Sequence, residues 1–474
     1  MPSLPDTCLS KILQYFQYES TLDQDDRTPI LLPFCQQWGL LLPKMDLWIH
    51  LYVSFTIQMI ICAIFSMIIY CFILRPRCSA PSTSALSPFL VGYGVIIPIS
   101  LVYPHYCIHM LHMQHRILIL NTCIVSTYVS FRCMEAMHGT PPPFCRKTNS
   151  CCFWDYVLYA SLPVDLMCDN PPASKKKDTD ETTTTRKQQL QQQQQHSKTN
   201  SPTNQSVFLQ STWNDVIINF KIGILCFVSL SILTSILIPL RWKLLSIQEP
   251  RKDYFGSHWM KYLGMEHIVN NFFTALLFYL TINFGNKLLE SAVNLAGYKP
   301  RSFMNSPLFS SKSPRDFWSN RWNSIFHHLI KRSLYKPLLE KQNISKANAM
   351  IFTFLISGFY HEYIATILTY AHTIHNGDVN DNASNNLRLR DLLNCHGGNL
   401  LFFTWNGLLV LLDYKYGKQI GTALSPLMKK MPGIIQSLLV VCMALPFSHW
   451  ITNDMIQSHY FDHVAILLPI IVRV

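Results

Sequence analysis

Apolar runs long enough to cross a lipid bilayer recur along this chain, and they constrain its fold more than any other feature. A membrane-spanning helix needs about 17–25 mostly apolar residues. The clearest run, 47–74, is too long and lies too far from the start to be a cleaved signal peptide. We expect about eight spans, give or take two, at residues 47–74, 88–103, 117–131, 216–240, 266–284, 347–371, 399–412 and 433–450.

The composition also indicates that lipid is the main solvent of this chain. Hydrophobic residues make up 49% of it and charged residues only 14%, whereas an average soluble domain carries about 25% charged residues. The net charge of +12 is typical of basic cytoplasmic loops, which follow the positive-inside bias of membrane proteins. We therefore predict an all-α, polytopic integral membrane protein that has no nucleic-acid partner.

The runs divide the chain into a short N-terminal segment and one multi-span domain. Residues 1–46 are expected to be lumenal or interfacial, and 47–474 form the domain. Within the domain, 173–206 holds lysine, threonine and glutamine tracts with almost no apolar side chain, which predicts a disordered cytoplasmic loop. The basic loop 241–261 does not fit this orientation. A group of cysteines lacks zinc-ligand spacing, so we predict no metal site at Cys133, Cys145, Cys151, Cys152 and Cys168.

His361 is the most informative single residue, because it lies near the middle of the apolar run 347–371. A charged group at bilayer depth costs on the order of 3 kcal/mol on insertion scales, so ionisable residues there usually face a bundle interior or an aqueous cavity. A polar and small stripe supports this placement: it recurs every four residues at Thr353, Ser357, His361, Ala365 and Thr369. The plainer alternative is a histidine that is hydrogen-bonded to a neighbouring helix. A zinc site is disfavoured, because residue 365 is alanine where HExxH needs a second histidine.

A basic and aromatic segment precedes that run. Residues 299–346 hold ten Lys or Arg against two acidic residues. On a continuous helix, Phe317, Arg321 and Ser324 would share one face, whereas Trp318, Trp322, Ile325 and Leu329 would share another. The pattern predicts an amphipathic helix at the membrane surface. It could serve as an anchor on acidic lipid, or as a site for a phosphorylated ligand whose cations would be Arg321, Lys331, Arg332 and Lys336.

Together these two regions resemble the wax-synthase branch of the membrane-bound O-acyltransferases. In that branch a PLF…S…FW..RW segment precedes a helix that bears SG..HE. The matching residues here are Pro307 to Phe309, Ser313, Phe317 to Asn323, and Ser357 to Glu362. Asn323 also matches the last residue of the F-Y-x-D-W-W-N motif of related sterol and diacylglycerol acyltransferases, but Trp318, Asn320 and Arg321 depart from that motif. The resemblance covers 306–371, and it leaves the class of acyl acceptor open.

The resemblance implies a transfer of an acyl group from acyl-CoA to a lipophilic alcohol inside a membrane-embedded catalytic cavity. A histidine suits removal of the hydroxyl proton and an Asn amide suits an oxyanion, so we expect His361 to be the base and Asn323 the polarising group. Acyl-CoA is then a co-substrate, and no cofactor is required. The catalytic motif region would be 299–371, in a multi-pass protein of the endoplasmic reticulum. We expect six residues to bind the substrate: Trp318, Arg321, Trp322, Lys331, Arg332 and Ser357.

Two other function classes stay open at this point. Intramembrane His361, Glu362 and Asn406 could form a proton or substrate path in a transporter or channel. Alternatively, a non-catalytic scaffold could use the basic segment to hold acidic lipid. Other polar residues interrupt or end apolar runs, and they would either line the cavity or lie in the interfacial belt: Trp405, Asn406, Ser448 and His449.

Overall fold

In the computed structural model of the chain, the described residues are 30–32, 35–76, 86–139, 152–167, 208–238, 265–375, 397–428 and 430–473. The predicted disordered loop 173–206, the basic loop 241–261, and Cys145, Cys151 and Cys168 lie outside these residues.

Long apolar helices dominate the fold. Within the described residues, six helices are long and apolar enough to cross a membrane. They are α1 (Met45–Leu74), α2 (Leu86–Met110), α3 (Arg116–Met137), α5 (Trp213–Leu237), α6 (Met265–Leu295) and α11 (Lys346–His375). A seventh span results if two helices bent by 70° are counted as one, namely α13 (Gly433–Ala444) and α14 (His449–Gln457). The all-α polytopic prediction is confirmed, with six or seven candidate spans in place of about eight.

One predicted span has a different character. The run 399–412 lies in α12 (Gly398–Met428), which is not among the candidate spans of the described residues. The apolar run covers only about 21 Å at 1.5 Å per residue, less than the thickness of about 30 Å of a hydrocarbon core. The helix then continues through Asp413, Lys415 and Lys418.

Short helices connect the long ones. Four of the π-helical turns are continuous with helices, at Tyr70–Leu74, Gly92–Ile96, Phe317–Arg321 and Lys331–Tyr335. The short helices are α4 (Phe153–Ser161), α7 (Pro307–Ser310), α8 (Pro314–Asp316), α9 (Ser324–Ile330), α10 (Lys336–Glu340) and α15 (Tyr460–Ala465), and a 3₁₀ turn lies at Leu445–Phe447.

The two ends of the described chain meet in a small sheet that the sequence did not predict. Strands β1 (Ile30–Leu32), β2 (Cys35–Leu41) and β3 (Ile470–Arg473) form an antiparallel sheet in the order β1-β2-β3. Trp38 pairs with Arg473, so the segment expected to be interfacial is hydrogen-bonded to the C-terminal strand. The pairing satisfies backbone groups that would otherwise be exposed at the sheet edges.

The prediction of one continuous amphipathic helix across 317–335 is wrong. Trp322 has extended backbone angles, and Asn323 has a φ of 43°. These two residues break the helical path, and α9 begins at the next residue. As a result the expected apolar face is divided: Trp318 and Trp322 pack in one aromatic cluster, whereas Leu329 packs in another with Phe131.

Helices α11 and α12 pack closely because glycines lie at their contact. A Cβ built on Gly358 would lie 2.9 Å from the Cα of Leu400, and one on Gly407 would lie 2.9 Å from the Cβ of Phe354. Small residues allow this close backbone approach between membrane helices. The contact places α12 against the part of α11 that carries His361.

Candidate active site

A cavity of about 340 Å³ lies between α11, α12 and the segment 315–335. Two π-helical turns contribute to its wall, and such turns are frequent at functional sites. Six of the eight predicted site residues line this one cavity: Trp318, Trp322, Asn323, Lys331, Ser357 and His361. Thr353 lines it as well, so the stripe of three residues one turn apart on α11 faces the cavity.

His361 is held in one orientation by its own helix. Its Nδ1 lies 2.8 Å from the carbonyl oxygen of Ser357. A carbonyl can only accept, so Nδ1 carries the proton and donates it, and Nε2 of the neutral ring is the atom with a free lone pair. The ring packs against Phe403 with a centroid separation of 4.3 Å. The ring of a residue that lines the cavity therefore keeps one unprotonated nitrogen.

Asn323 lies at the break between the two helical pieces. Its Oδ1 accepts a hydrogen bond from the backbone N–H of Phe326 at 3.0 Å, which caps α9. This bond fixes which way the amide faces, and it leaves Nδ2 as a donor. Among the described residues, none accepts a hydrogen bond from Nδ2. Asparagine also tolerates the left-handed backbone that the break requires.

Aromatic rings form the apolar wall beside His361. The indole N–H of Trp318 donates to Oδ1 of Asn406 at 3.0 Å, which satisfies its only polar atom. The Trp318 ring makes edge or tilted contacts with Phe354 and Phe403. Trp322 stacks on Phe317, with centroids 5.5 Å apart. An acyl chain or an apolar acceptor would find a large non-polar surface here.

Two of the predicted cationic contacts do not fit this cavity. The Nε of Arg321 lies 2.7 Å from Asp316, and the Nε of Arg332 lies 2.8 Å from Glu135. Neither residue belongs to the cavity lining. Both guanidinium groups are paired with nearby carboxylates, so the assignment of Arg321 and Arg332 to substrate phosphates stays a prediction that the lining of this cavity does not support. Lys336, the remaining predicted cation, does not line the cavity either.

Two exposed cations, one of them the predicted Lys331, do line the cavity. Arg315 and Lys331 both line the cavity and are exposed to solvent. In the regions that the structure describes, no carboxylate forms an ion pair with either side chain. Sequence reasoning missed Arg315 because it lies before the FWSNRWN motif. The same reasoning missed several further lining residues: Asn320, His327, Tyr335 and Tyr414.

Comparison with known proteins finds a family that resembles this part of the chain. Residues 300–375 match the Membrane bound O-acyl transferase family. The matched segment contains Asn323, Lys331, Ser357 and His361. The similarity supports a membrane-bound O-acyltransferase, and it does not distinguish the wax-synthase branch from others.

Curated relatives belong to the same reaction class. The chain is 29% identical to diacylglycerol O-acyltransferase 1 of Chlorocebus aethiops, 30% identical to that of Bos taurus and 29% identical to that of Homo sapiens. Each match extends over 130 residues, which is 27% of this chain and 25% of the relative. The match therefore spans about a quarter of the length of these proteins.

A buried ionic network includes Arg332, which belongs to the segment that resembles the O-acyltransferases. Arg132 donates to Glu135 at 2.8 Å, and Arg332 lies between Glu135 and Asp165, which it contacts at 3.3 Å. Two positive and two negative charges thus balance in the interior, which is a requirement for burying them. The Tyr159 hydroxyl accepts from both guanidinium groups.

The network shifts the pKa values of two of its members that lie outside the membrane-spanning helices, Asp165 and Arg332. Burial alone would raise the pKa of Asp165, but the positive charges of Arg332 and Arg132 outweigh it and leave that pKa below its usual value. Burial alone would lower the pKa of Arg332, but Glu135, Tyr159 and Asp165 together outweigh it and the pKa is raised. Both groups therefore stay ionised, and the ion pair persists at neutral pH.

The other polar residues of the apolar runs have structural partners. Glu362 accepts from the backbone N–H groups of Gly397 and Asn399, each at 3.1 Å, at the start of α12. The Trp405 indole donates to the carbonyl oxygen of Met443, and the His449 ring lies 5.0 Å from that of His267. None of these side chains, nor that of Ser448, lines the cavity.

Proposed function

We propose that this protein transfers an acyl group from acyl-CoA to the hydroxyl group of a lipophilic acceptor within the membrane. One observation carries the proposal: His361, with Nδ1 tied to Ser357, shares a cavity with the free amide nitrogen of Asn323. A general base and an oxyanion donor are the two groups that acyl transfer to an alcohol requires. The similarity of residues 300–375 to the O-acyltransferase family supports the same reaction.

The proposed mechanism has two proton transfers at His361. Nε2 takes the hydroxyl proton as the acceptor oxygen attacks the thioester carbonyl carbon, and a C–O bond forms. Asn323 Nδ2 donates to the developing oxyanion. The tetrahedral intermediate then collapses, the C–S bond breaks, and the imidazolium returns its proton to the sulfur, which gives an ester and free CoA thiol. No covalent acyl-enzyme and no cofactor are required.

Arg315 and Lys331 are the proposed contacts for the phosphates of acyl-CoA. Both are exposed cations on the cavity lining, and charged hydrogen bonds to phosphate are stronger than neutral ones. Acyl-CoA would approach from the cytosolic side, and the acceptor would enter laterally from the bilayer. Trp318, Trp322 and Ser357 would line the path of the apolar chains.

The proposal also concerns the chemical class of the acyl acceptor and the cellular compartment. The motif resemblance favours a wax-synthase-like enzyme that acts on fatty alcohols. The curated relatives are named as diacylglycerol O-acyltransferases, so diacylglycerol belongs in the acceptor panel beside sterols. We propose the endoplasmic reticulum as the compartment, because it is where the resembling enzymes esterify lipids.

A microsomal assay tests the proposal. Membranes that contain the full chain receive labelled acyl-CoA with fatty alcohol, sterol or diacylglycerol, and the labelled esters are separated and counted. We expect an ester with at least one acceptor and a loss of at least about 100-fold in His361→Ala, because general base catalysis contributes typically 10²–10⁴-fold. His459→Ala, outside the cavity, is the matched control and should keep full activity. No ester with any acceptor from well-expressed protein would contradict the proposal.

One residue of the transporter alternative, Glu362, does not line the cavity that contains His361. Glu362 points to backbone N–H groups at the start of α12 and is absent from the cavity lining. A proton path would need both His361 and Glu362 in one aqueous space. Ester formation that persists in sealed and in detergent-permeabilised membranes alike would argue against transport, because transport needs two separate compartments.

A further inference from the structure

Asn406 is a polar residue in the apolar part of α12, and the reaction described above does not use it. Its side chain is fully buried and does not line the cavity. Its Nδ2 lies 2.9 Å from the carbonyl oxygen of Phe402, one turn earlier, and donates to it. A carbonyl oxygen can only accept, so this bond fixes the orientation of the amide and leaves Oδ1 as an acceptor for another segment.

The Oδ1 of Asn406 accepts the indole N–H of Trp318, with 3.0 Å between the two atoms. An indole has one polar atom, and that atom can only donate. Trp318 and α12 lie on different walls of the cavity, so the hydrogen bond joins the two walls. An N–H that loses its acceptor in an apolar environment is unfavourable. Asn406 therefore restricts the Trp318 ring to one orientation.

The Trp318 ring extends this restriction to the surroundings of His361. The ring centroid of Trp318 lies 5.9 Å from that of Phe354 on α11 and 5.7 Å from that of Phe403 on α12. The ring of Phe403 in turn packs against that of His361. Aromatic pairs prefer particular relative orientations. A rotation of Trp318 would therefore displace the ring that packs on His361.

We propose that Asn406 is a positioning residue for acyl transfer, which holds Trp318 so that the aromatic wall keeps the reacting groups aligned at His361. The inference rests on the proposed acyl transfer. Asn406 is off the cavity lining, so it acts through Trp318. Loss of the bond should lower kcat and leave the KM for acyl-CoA near its wild-type value. The proposed phosphate contacts, Arg315 and Lys331, share no hydrogen bond with Asn406 in the described chain.

Asn406→Ser tests the inference. A serine hydroxyl can donate to the carbonyl oxygen one turn earlier on its own helix, but its side chain is too short to reach the indole N–H. Membranes that contain the full chain receive labelled palmitoyl-CoA with hexadecanol, cholesterol or dioleoylglycerol, and the best acceptor is used for kinetics. We expect kcat to fall about tenfold to a hundredfold, because small misplacements of reacting groups can cost about 10²-fold. The KM for palmitoyl-CoA should stay within about twofold of the wild type.

A double-mutant cycle separates positioning from lost packing. Trp318→Phe removes the indole N–H and retains a ring, whereas Asn406→Leu removes the acceptor and retains an apolar side chain of similar length. If the bond positions the ring, the double variant should lose no more kcat than the poorer single variant, because removing both polar partners can be nearly neutral. If the two losses in kcat simply multiply, the residues act independently and the inference is wrong. Asn406→Ser replaces Asn406→Leu in the cycle if the latter does not fold.

Trp405→Phe is the matched control. Trp405 precedes Asn406 in the chain, and its indole N–H donates to the carbonyl oxygen of Met443, away from the cavity lining. Its replacement removes the same kind of bond, so kcat should stay at the wild-type value. A wild-type kcat in Asn406→Ser, or an equal fall in kcat in Trp405→Phe, would overturn the inference while leaving acyl transfer intact. No ester with any acceptor from well-expressed wild-type protein would overturn the proposed function and the inference with it.

Discussion

The Nδ1 atom of His361 donates to the carbonyl oxygen of Ser357, 2.8 Å away and one turn earlier on the same helix. The bond selects the tautomer in which Nε2 is unprotonated, so the proposed base needs no partner from another helix. Many catalytic histidines rely on a carboxylate for this task. Here the adjacent carboxylate of Glu362 is used instead to hold the start of α12.

Asn323→Asp separates the two tasks of Asn323. An aspartate retains an oxygen that can cap α9, and it tolerates the left-handed backbone, so the free energy of unfolding should change by less than about 1 kcal/mol. The variant lacks the Nδ2 donor and places a negative charge near the oxyanion. We expect kcat to fall about 10²–10³-fold, as for other losses of an oxyanion donor. Esterification rates and thermal unfolding in detergent measure the two effects.

Asn323→Gly is the complementary variant. Glycine adopts the left-handed backbone without strain, but it has neither cap nor donor. We expect the same loss of kcat with slightly lower thermal stability, because replacing an N-cap by glycine costs only a few tenths of a kcal/mol. Full activity in either variant would contradict the assignment of Nδ2 as the oxyanion donor.

Gly358→Ala should disturb the site without touching a polar atom. A Cβ at this position would lie 2.9 Å from the backbone Cα of Leu400, so one of the two helices must shift. Overpacking of this kind typically costs about 1–3 kcal/mol. The shift would also displace Phe403 from the ring of His361. We therefore expect a lower unfolding temperature and reduced kcat, both measured on purified protein in detergent.

Gly421→Ala is the matched control for this change. Gly421 lies on the partner helix α12, and no atom lies within 4 Å of a Cβ built there. Alanine is the better helix former, so the control should be neutral or slightly stabilising. Equal behaviour of the two variants would show that close approach at Gly358 is not important.

Structural features that depend on residues close together in the sequence were predicted correctly. Features that depend on contacts between distant residues were not. Three residues of the predicted five-residue stripe, Thr353, Ser357 and His361, line the cavity, because residues four apart share a helix face. The other two, Ala365 and Thr369, do not line it. The ion pairs of Arg332 were not predicted, because its partners Glu135 and Asp165 lie far away in the chain and no local pattern reveals them.

The same limit explains the errors in secondary structure. The sheet joins Trp38 to Arg473, and a strand of four residues has no signal that names its partner. The break at Asn323 was missed because the flanking residues have ordinary helical periodicity. The cap on Phe326 is a local bond, however, so a stricter search for Asn as a helix N-cap would have found it.

Lys331→Gln tests the proposed contact with the phosphates of acyl-CoA. Lys331 is exposed, no carboxylate of the described residues pairs with it, and the proposed reaction chemistry does not use it. We expect the KM for acyl-CoA to rise about threefold to tenfold with little change in kcat. The wild-type KM should rise with added salt more steeply than that of the variant, because salt screens the lysine charge.

Lys346→Gln provides the comparison for Lys331→Gln. Lys346 is also exposed and basic, but it does not line the cavity, so its KM for acyl-CoA should equal that of the wild type. Arg321→Gln should likewise leave KM near the wild-type value at equal expression, because Asp316 already occupies this guanidinium. A rise in KM for Arg321→Gln would support the prediction made for Arg321 from the sequence, and an unchanged KM for Lys331→Gln would contradict the proposed phosphate contact of Lys331.

Arg332→Leu should destabilise the fold far more than Arg301→Leu, although both arginines pair with the same carboxylate, Asp165, at 3.3 Å. The side chain of Arg332 is 11% exposed and that of Arg301 is 43% exposed. Removing the buried partner leaves Glu135 and Asp165 without enough positive charge, which typically costs about 3–5 kcal/mol. Removing the exposed partner should cost less than about 1 kcal/mol, because solvent already screens that pair. Thermal unfolding in detergent measures the loss of stability in both variants. Equal losses would mean that the buried ion pairs of Arg332 do not hold the segment 299–371 in place.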